Sequence, residues 1–179
     1  MKRLFAGLLV VLMVLSLAAC GGRAGVPDFA NWGTEQLGHM TVRVPSDVSV
    51  EEHELDGIEM FGIESRTQGV RVVGAQFVGM VSFLQDMGIP DEIIESNSLY
   101  GSVQGFLRDY LRQSGGEMHG EIAGELNGVV YHGAYGESDR AAFVVRGFVY
   151  GDDFYVVMIS LREEVDGLIE EFFQSIRFE

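Results

Sequence analysis

The chain has 179 residues, with 12 basic against 27 acidic side chains and a formal net charge of −15. That balance argues against nucleic-acid binding, which needs a basic stripe, and against a polybasic grip on anionic lipid. One cysteine, Cys20, leaves no internal disulfide and no cysteine-based metal centre.

Lys2-Arg3 is followed by an apolar run of sixteen residues, Leu4 to Ala19, and then by Cys20. A positive start, an apolar stretch and small residues before a cut mark a secretory signal. A spanning helix needs about 20 apolar residues, so a transmembrane helix is the weaker reading. Leu17-Ala18-Ala19-Cys20 resembles the lipobox of bacterial lipoproteins. The resemblance implies that residues 1–19 are a signal peptide, that cleavage precedes Cys20, and that its thiol carries a diacylglyceryl group with palmitate-type chains. The thiolate is the nucleophile such chemistry needs. The protein is then expected in the bacterial cell envelope, held to a membrane by lipid. Gly21 stands where an aspartate would, by the same resemblance, favour the inner membrane. That leans toward the outer membrane facing the periplasm in a Gram-negative cell, and otherwise toward the outer face of the cell membrane.

Loss of Lys2 and Arg3 leaves ten arginines, no lysine and a net charge of −17. Residues 20–27, the lipidated cysteine with Gly21-Gly22-Arg23-Ala24-Gly25-Val26-Pro27, read as a flexible tether. Seven extended residues reach about 25 Å. Residues 28–179 are expected to form a single globular α+β domain, large enough for a proper core. Phe29 and Trp32 begin it and cover one edge of that core.

Strand-like runs come first. Met40–Val44 alternates and stops at Pro45-Ser46-Asp47. Val48–Glu52 alternates again, Ile58–Ile63 follows, and Gly69–Met80 is long and apolar, with Gly74 and Gly79 marking bulges or bends. Leu84–Ile94 is broken by Gly88-Ile89-Pro90-Asp91 and reads as a loop with one short helix. Leu99, Val103, Phe106, Leu107, Tyr110 and Leu111 recur at helical spacing, ended by Ser114-Gly115-Gly116.

Four more strands follow: Glu121–Leu126, Val129–Tyr135, Ala141–Tyr150 and Phe154–Leu161. Asn127-Gly128 predicts a type I′ hairpin between the first two. Glycine-led turns at 136–139 and 151–153 complete an antiparallel meander. Phe143, Val145 and Val149 point one way; Val144, Phe148 and Tyr150 point the other. Apolar residues on both sides predict a sheet covered on both faces. A last helix carries Val165, Leu168, Ile169, Phe172, Phe173 and Ile176 as its apolar stripe, with acids on the wet side and early in the helix.

Several segments carry a family resemblance: Met40–Pro45 as a strand running into proline, Asn127–Tyr131 at the hairpin, Asp153–Val157 before the final helix, and Ser175–Phe178 after it. Over residues 38–179 the order of elements resembles the PsbP-like fold, including the small DcrB-like envelope lipoproteins. The resemblance implies an antiparallel sheet with amphipathic helices packed on it, an α/β/α sandwich. It also implies a binding or assembly module with no shared catalytic site, so no functional residue is carried over.

Candidate chemistry is thin. His39, His53, His119 and His132 have no zinc-ligand spacing; His119 and His132 are the pair that strand pairing can bring near each other. Glu51-Glu52-His53-Glu54 with Asp56 and Glu59 is the densest acidic stretch, but it matches no EF-hand loop and reads as a solvated strand edge. The serines lack a Gly-x-Ser-x-Gly elbow, the 24 glycines form no phosphate loop, and Asp152-Asp153 reads as a turn former. The aromatic residues of the meander, Tyr131, Tyr135, Phe148 and Tyr150, are the candidates for a ligand groove between sheet and helices. The sequence thus points to a non-enzymatic envelope lipoprotein that binds a protein partner or small ligand, with no cofactor, catalytic residue or metal. A divalent-cation binder using the acidic surface, and an envelope hydrolase with a site assembled from distant residues, are the alternatives.

Overall fold

The computed structural model describes residues 28–45, 48–55, 58–67, 69–94, 99–113, 115–162 and 167–179. The segments expected to be signal peptide and tether, with Cys20 between them, lie outside the described residues. The fold is α+β, as the sequence pattern predicts. A three-residue 3-10 turn at Phe29–Asn31 opens it, followed by β1 (Gly33–Leu37), β2 (Met40–Val44), β3 (Val48–Leu55), β4 (Ile58–Thr67) and β5 (Val70–Phe77). Helices α1 (Met80–Asp86), α2 (Asp91–Ile93) and α3 (Leu99–Gln113) come next, then β6 (Glu117–Leu126), β7 (Val129–Ser138), β8 (Ala141–Tyr150) and β9 (Asp153–Leu161). The chain closes with α4 (Leu168–Gln174) and the short β10 (Arg177–Phe178).

Seven strands form one antiparallel sheet in the order β3-β4-β5-β9-β8-β7-β6. The chain enters from one edge, leaves β5 through the helices, and meanders back from the other edge until β9 seats against β5. Central β9 has all nine residues buried. Its side chains alternate between two cores: Phe154, Val156 and Met158 face one, Tyr155, Val157 and Ile159 the other. Phe143 and Val145 join the first core and Val144 and Phe148 the second, as the alternation in β8 predicts.

Different layers cover the two faces. Over the first lie α1 and α3, which seat Met80, Leu84, Val103, Leu107 and Leu111 in its core. Over the second lie α4 and a small sheet ordered β1-β2-β10, contributing Leu37, Met40, Val42, Leu168, Phe172 and Phe173. Phe29 and Trp32 pack at its margin, with ring centroids 5.0 Å apart. Fully burying each large apolar side chain is worth about 1.5–3 kcal/mol, so a chain without a disulfide has two cores to hold it.

Several local expectations are corrected. The run from Gly69 ends as a strand at Phe77, because Gly79 adopts φ +64 and opens α1. Gly74 is a regular strand residue paired with Ile63 and Val157; the irregularity of the sheet lies instead in β6, between Met118 and Gly120. The segment read as a loop with one short helix, Leu84–Ile94, holds the last turn of α1 and all of α2. At the β6–β7 hairpin, Asn127 and Gly128 have φ of 51° and 84°, the left-handed pair that a type I′ turn requires. Ser46, Asp47, Asp56 and Val165 lie outside the described residues.

Candidate functional site around Arg146

Strand register lays the second face of β6, β7 and β8 out as a grid. Gly124, Tyr131 and Phe148 share one row, Ile122, Gly133 and Arg146 the next, and Gly120, Tyr135 and Val144 the third. The β6 glycines matter because the tyrosines lean over them. A Cβ at Gly124 would stand 2.8 Å from the Tyr131 hydroxyl, and one at Gly120 would stand 2.9 Å from the Tyr135 ring. With only hydrogen there, both rings lie across the edge strand and leave a low aromatic surface. Tyr135 is 41% exposed, Tyr131 and Ile122 are half-buried, and Gly124 is exposed.

Arg146 sits in the middle row with its side chain only 7% exposed. Its guanidinium carbon is 4.3 Å from the Tyr131 ring centroid and 4.1 Å from that of Phe173 on α4. Such stacking is worth about 0.5–2 kcal/mol per contact, more when desolvated. Nη2 donates to Glu170 Oε2 at 3.3 Å. Nε is buried and has no hydrogen-bond partner among the described residues. An unpaired buried donor costs roughly 1–3 kcal/mol. The cause is local: Arg146 is registered between Gly133, which has no side chain, and the apolar Val157. Within the sheet, neither flanking position offers a side-chain acceptor.

The four aromatic residues singled out from the sequence all lie on this face, but they divide. Tyr131 and Phe148 have ring centroids 6.0 Å apart, and Phe178 of β10 stacks on Tyr150 at 5.0 Å and meets Phe148 at 5.4 Å. Phe148 is wholly buried, so Phe178 fills the space beside it and only Tyr131 of this pair reaches the surface. Tyr135 lies four residues farther along β7, beside His119. Arg146, which no sequence motif singles out, stands in the row between Tyr131 and Tyr135.

The histidines are dispersed. His39 Nδ1 is 2.8 Å from the Glu179 carbonyl oxygen, His53 pairs with Glu51 at 3.2 Å on β3, and His119 pairs with Glu137 at 3.1 Å at the β6 bulge. His132 is registered with Ala123 and Gly147, so strand pairing does not bring it to His119. Among the described residues, no group of three or more His, Cys, Asp or Glu side chains is placed to hold a metal ion. The acidic stretch from Glu51 forms the outer strand β3, where charge discourages edge-to-edge pairing.

Asp152 and Asp153 do more than form a turn. Asp152 Oδ1 accepts the Ser82 N–H and hydroxyl, each at 2.8 Å, and so caps the first turn of α1 from the β8–β9 turn. Asp153 accepts from the Gly79 N–H at 3.0 Å, from Gln76 Nε2 at 2.7 Å and from the Tyr155 hydroxyl at 3.1 Å. Tyr155 in turn accepts the His39 N–H at 3.2 Å. Burial, with the Asp153 charge beside it, pushes the Tyr155 phenol up to about 12, although the His39 bond pulls the other way. Each group in this cluster has partners from elements that must stay together, which is the signature of a structural joint.

Comparison with known proteins places the architecture. No family model matches the chain, and no curated protein matches it. Among solved structures, the solution structure of cyanobacterial PsbP (CyanoP) from Synechocystis sp. PCC 6803 superposes with a TM-score of 0.55 at 11% identity, covering 91% of this chain and 99% of that one. At that identity the shared property is the fold, and the fold of the described residues is PsbP-like.

Proposed function

We propose that this chain is a non-enzymatic binding or assembly module of the bacterial cell envelope, tethered to a membrane through Cys20. Its aromatic face on β6–β8 engages a protein partner or a small ligand. The observation that carries this reading is the glycine-floored surface bearing Tyr131, Ile122 and Tyr135, which the small sheet and α4 leave open to solvent. Aromatic side chains on a rigid strand framework bind with little loss of conformational freedom. Leu17-Ala18-Ala19-Cys20 supports the tether. Among the described residues no helix is long and apolar enough to cross a membrane. A PsbP-like architecture suits an accessory protein whose work is association.

Position-specific cross-linking in intact cells tests this. A photoreactive phenylalanine analogue replaces Tyr135, and in a second strain Val50, which is 63% exposed on the opposite edge. A discrete adduct from position 135 that is missing from position 50 is the expected result. The same adducts from both positions, or none from 135, would defeat the reading.

A further inference from the structure

Resting on the reading of the β6–β8 face as a binding surface, we propose that Arg146 is the recognition group of a carboxylate site. An incoming carboxylate displaces Glu170 and takes the Nε and Nη2 hydrogens together. Those two hydrogens lie along one edge of the guanidinium and match the two oxygens of a carboxylate. In the structure that edge is half used. Glu170 reaches Nη2 alone, at 3.3 Å, and Nε is buried without a partner among the described residues. Charge-assisted bonds of this kind ordinarily close to about 2.7–2.9 Å. Glu170 does not turn both oxygens inward because Gln174 Nε2 holds Oε1 at 3.1 Å. Its side chain is 60% exposed, so on displacement it returns to water at little cost.

Arg146 is meanwhile fixed for the task. The rings of Tyr131 and Phe173 both pack against the guanidinium, which reduces the freedom lost on binding. Beside it, Tyr131, Ile122 and Tyr135 offer a surface for a flat apolar group. The chemistry that fits is a carboxylate next to an aromatic ring, supplied by a free arylcarboxylate or by a glutamate beside a phenylalanine in a partner chain.

The test uses the full chain in detergent, labelled with 15N-arginine, and follows the Arg146 Nε–H resonance. Benzoate, N-acetyl-Glu-Phe-amide and the uncharged isostere benzamide are titrated into the natural protein and into Glu170→Ala. Expected is a saturable shift with benzoate or the peptide, about two- to fivefold tighter in Glu170→Ala, the factor by which a surface ion pair competes. Benzamide is expected to cause none. Benzoate alone would identify a small acid as ligand, and the peptide alone a partner segment. Arg146→Lys, followed through the ring resonances of Tyr131 and Phe173, is expected to lose the response. No saturable shift in Glu170→Ala, an equal response to benzamide, or a response retained in Arg146→Lys would overturn the proposal. A failed titration beside a position-specific cross-link at 135 would leave the face a binding surface and remove Arg146 as its recognition group.

Discussion

Tyr155 shows what a single hydroxyl does in this molecule. It accepts a hydrogen bond from the β1–β2 turn at His39 and donates to Asp153 beside α1, so it joins the two sheets. Its phenol titrates at about 12 in the fold and near 10 when exposed, because burial disfavours the anion. The unfolded chain therefore releases its proton first as pH rises. The stability that the neutral phenol confers is complete below pH about 10 and is lost between about 10 and about 12, on the order of 2–3 kcal/mol in all. Urea melts across that range are expected to show the loss, and ultraviolet titration to show Tyr155 ionising late. Tyr155→Phe is expected to abolish the late ionisation. It also leaves the His39 N–H without its phenol acceptor, costing about 1–3 kcal/mol, or roughly 3–10 °C in Tm. The same alkaline loss in the Tyr155→Phe variant would place the effect on another group. Arg146 offers a different lesson at this scale. Its burial was legible in Phe143-Val144-Val145-Arg146-Gly147-Phe148-Val149: where both faces of a strand are apolar, an arginine has no outward direction left. The orphaned Nε was not legible, since it depends on Gly133 standing opposite.

Among the elements, those with a clear period were readable and those without were not. β8 and β9 carry long apolar runs, and α3 repeats its apolar residues at helical spacing. β1 is Gly-Thr-Glu-Gln-Leu with only Leu37 buried, so no alternation marks it. β10 is two residues long, too short to have a period; its place is set by pairing with Met40 and Thr41. Yet β10 matters out of proportion to its length. Phe178 contacts Phe148, Tyr150 and Tyr155 with centroid separations of 5.4, 5.0 and 5.5 Å, and Glu179 N–H donates to the His39 carbonyl at 2.9 Å. Phe178→Ala removes three ring contacts and bares Phe148. The expected cost is about 2–4 kcal/mol, a fall of roughly 5–15 °C in Tm by calorimetry. The aromatic near-ultraviolet dichroism is expected to weaken in the same variant. An unchanged melting temperature would mean that β10 is an ornament and that β2 holds the small sheet in place alone.

For the molecule as a whole, the membrane question reduces to which part supplies the affinity. Beyond Cys20 the sequence has ten arginines against 27 acids, so an anionic bilayer repels it, and Glu137 stands two residues from Tyr135 on the same side of β7. Two or more acyl chains on Cys20 would supply the opposing term at about 0.8 kcal/mol per buried CH₂, enough to hold a domain that its own surface charge pushes away. Cys20→Ser, placed behind an ordinary cleavable secretory signal in place of residues 1–19, separates these terms. The variant is expected in the soluble fraction after lysis, with the late tyrosine ionisation showing that it is folded, while the natural chain stays with membranes through a high-salt wash and gives an N-terminal mass increased by the lipid. Added salt distinguishes the remaining cases, because it screens charge within about 10 Å at 0.1 M and leaves a lipid anchor untouched. A folded Cys20→Ser protein that stays on membranes in high salt would move the anchor from Cys20 to the domain itself, and the aromatic face of β6–β8 would then be the first place to look for it.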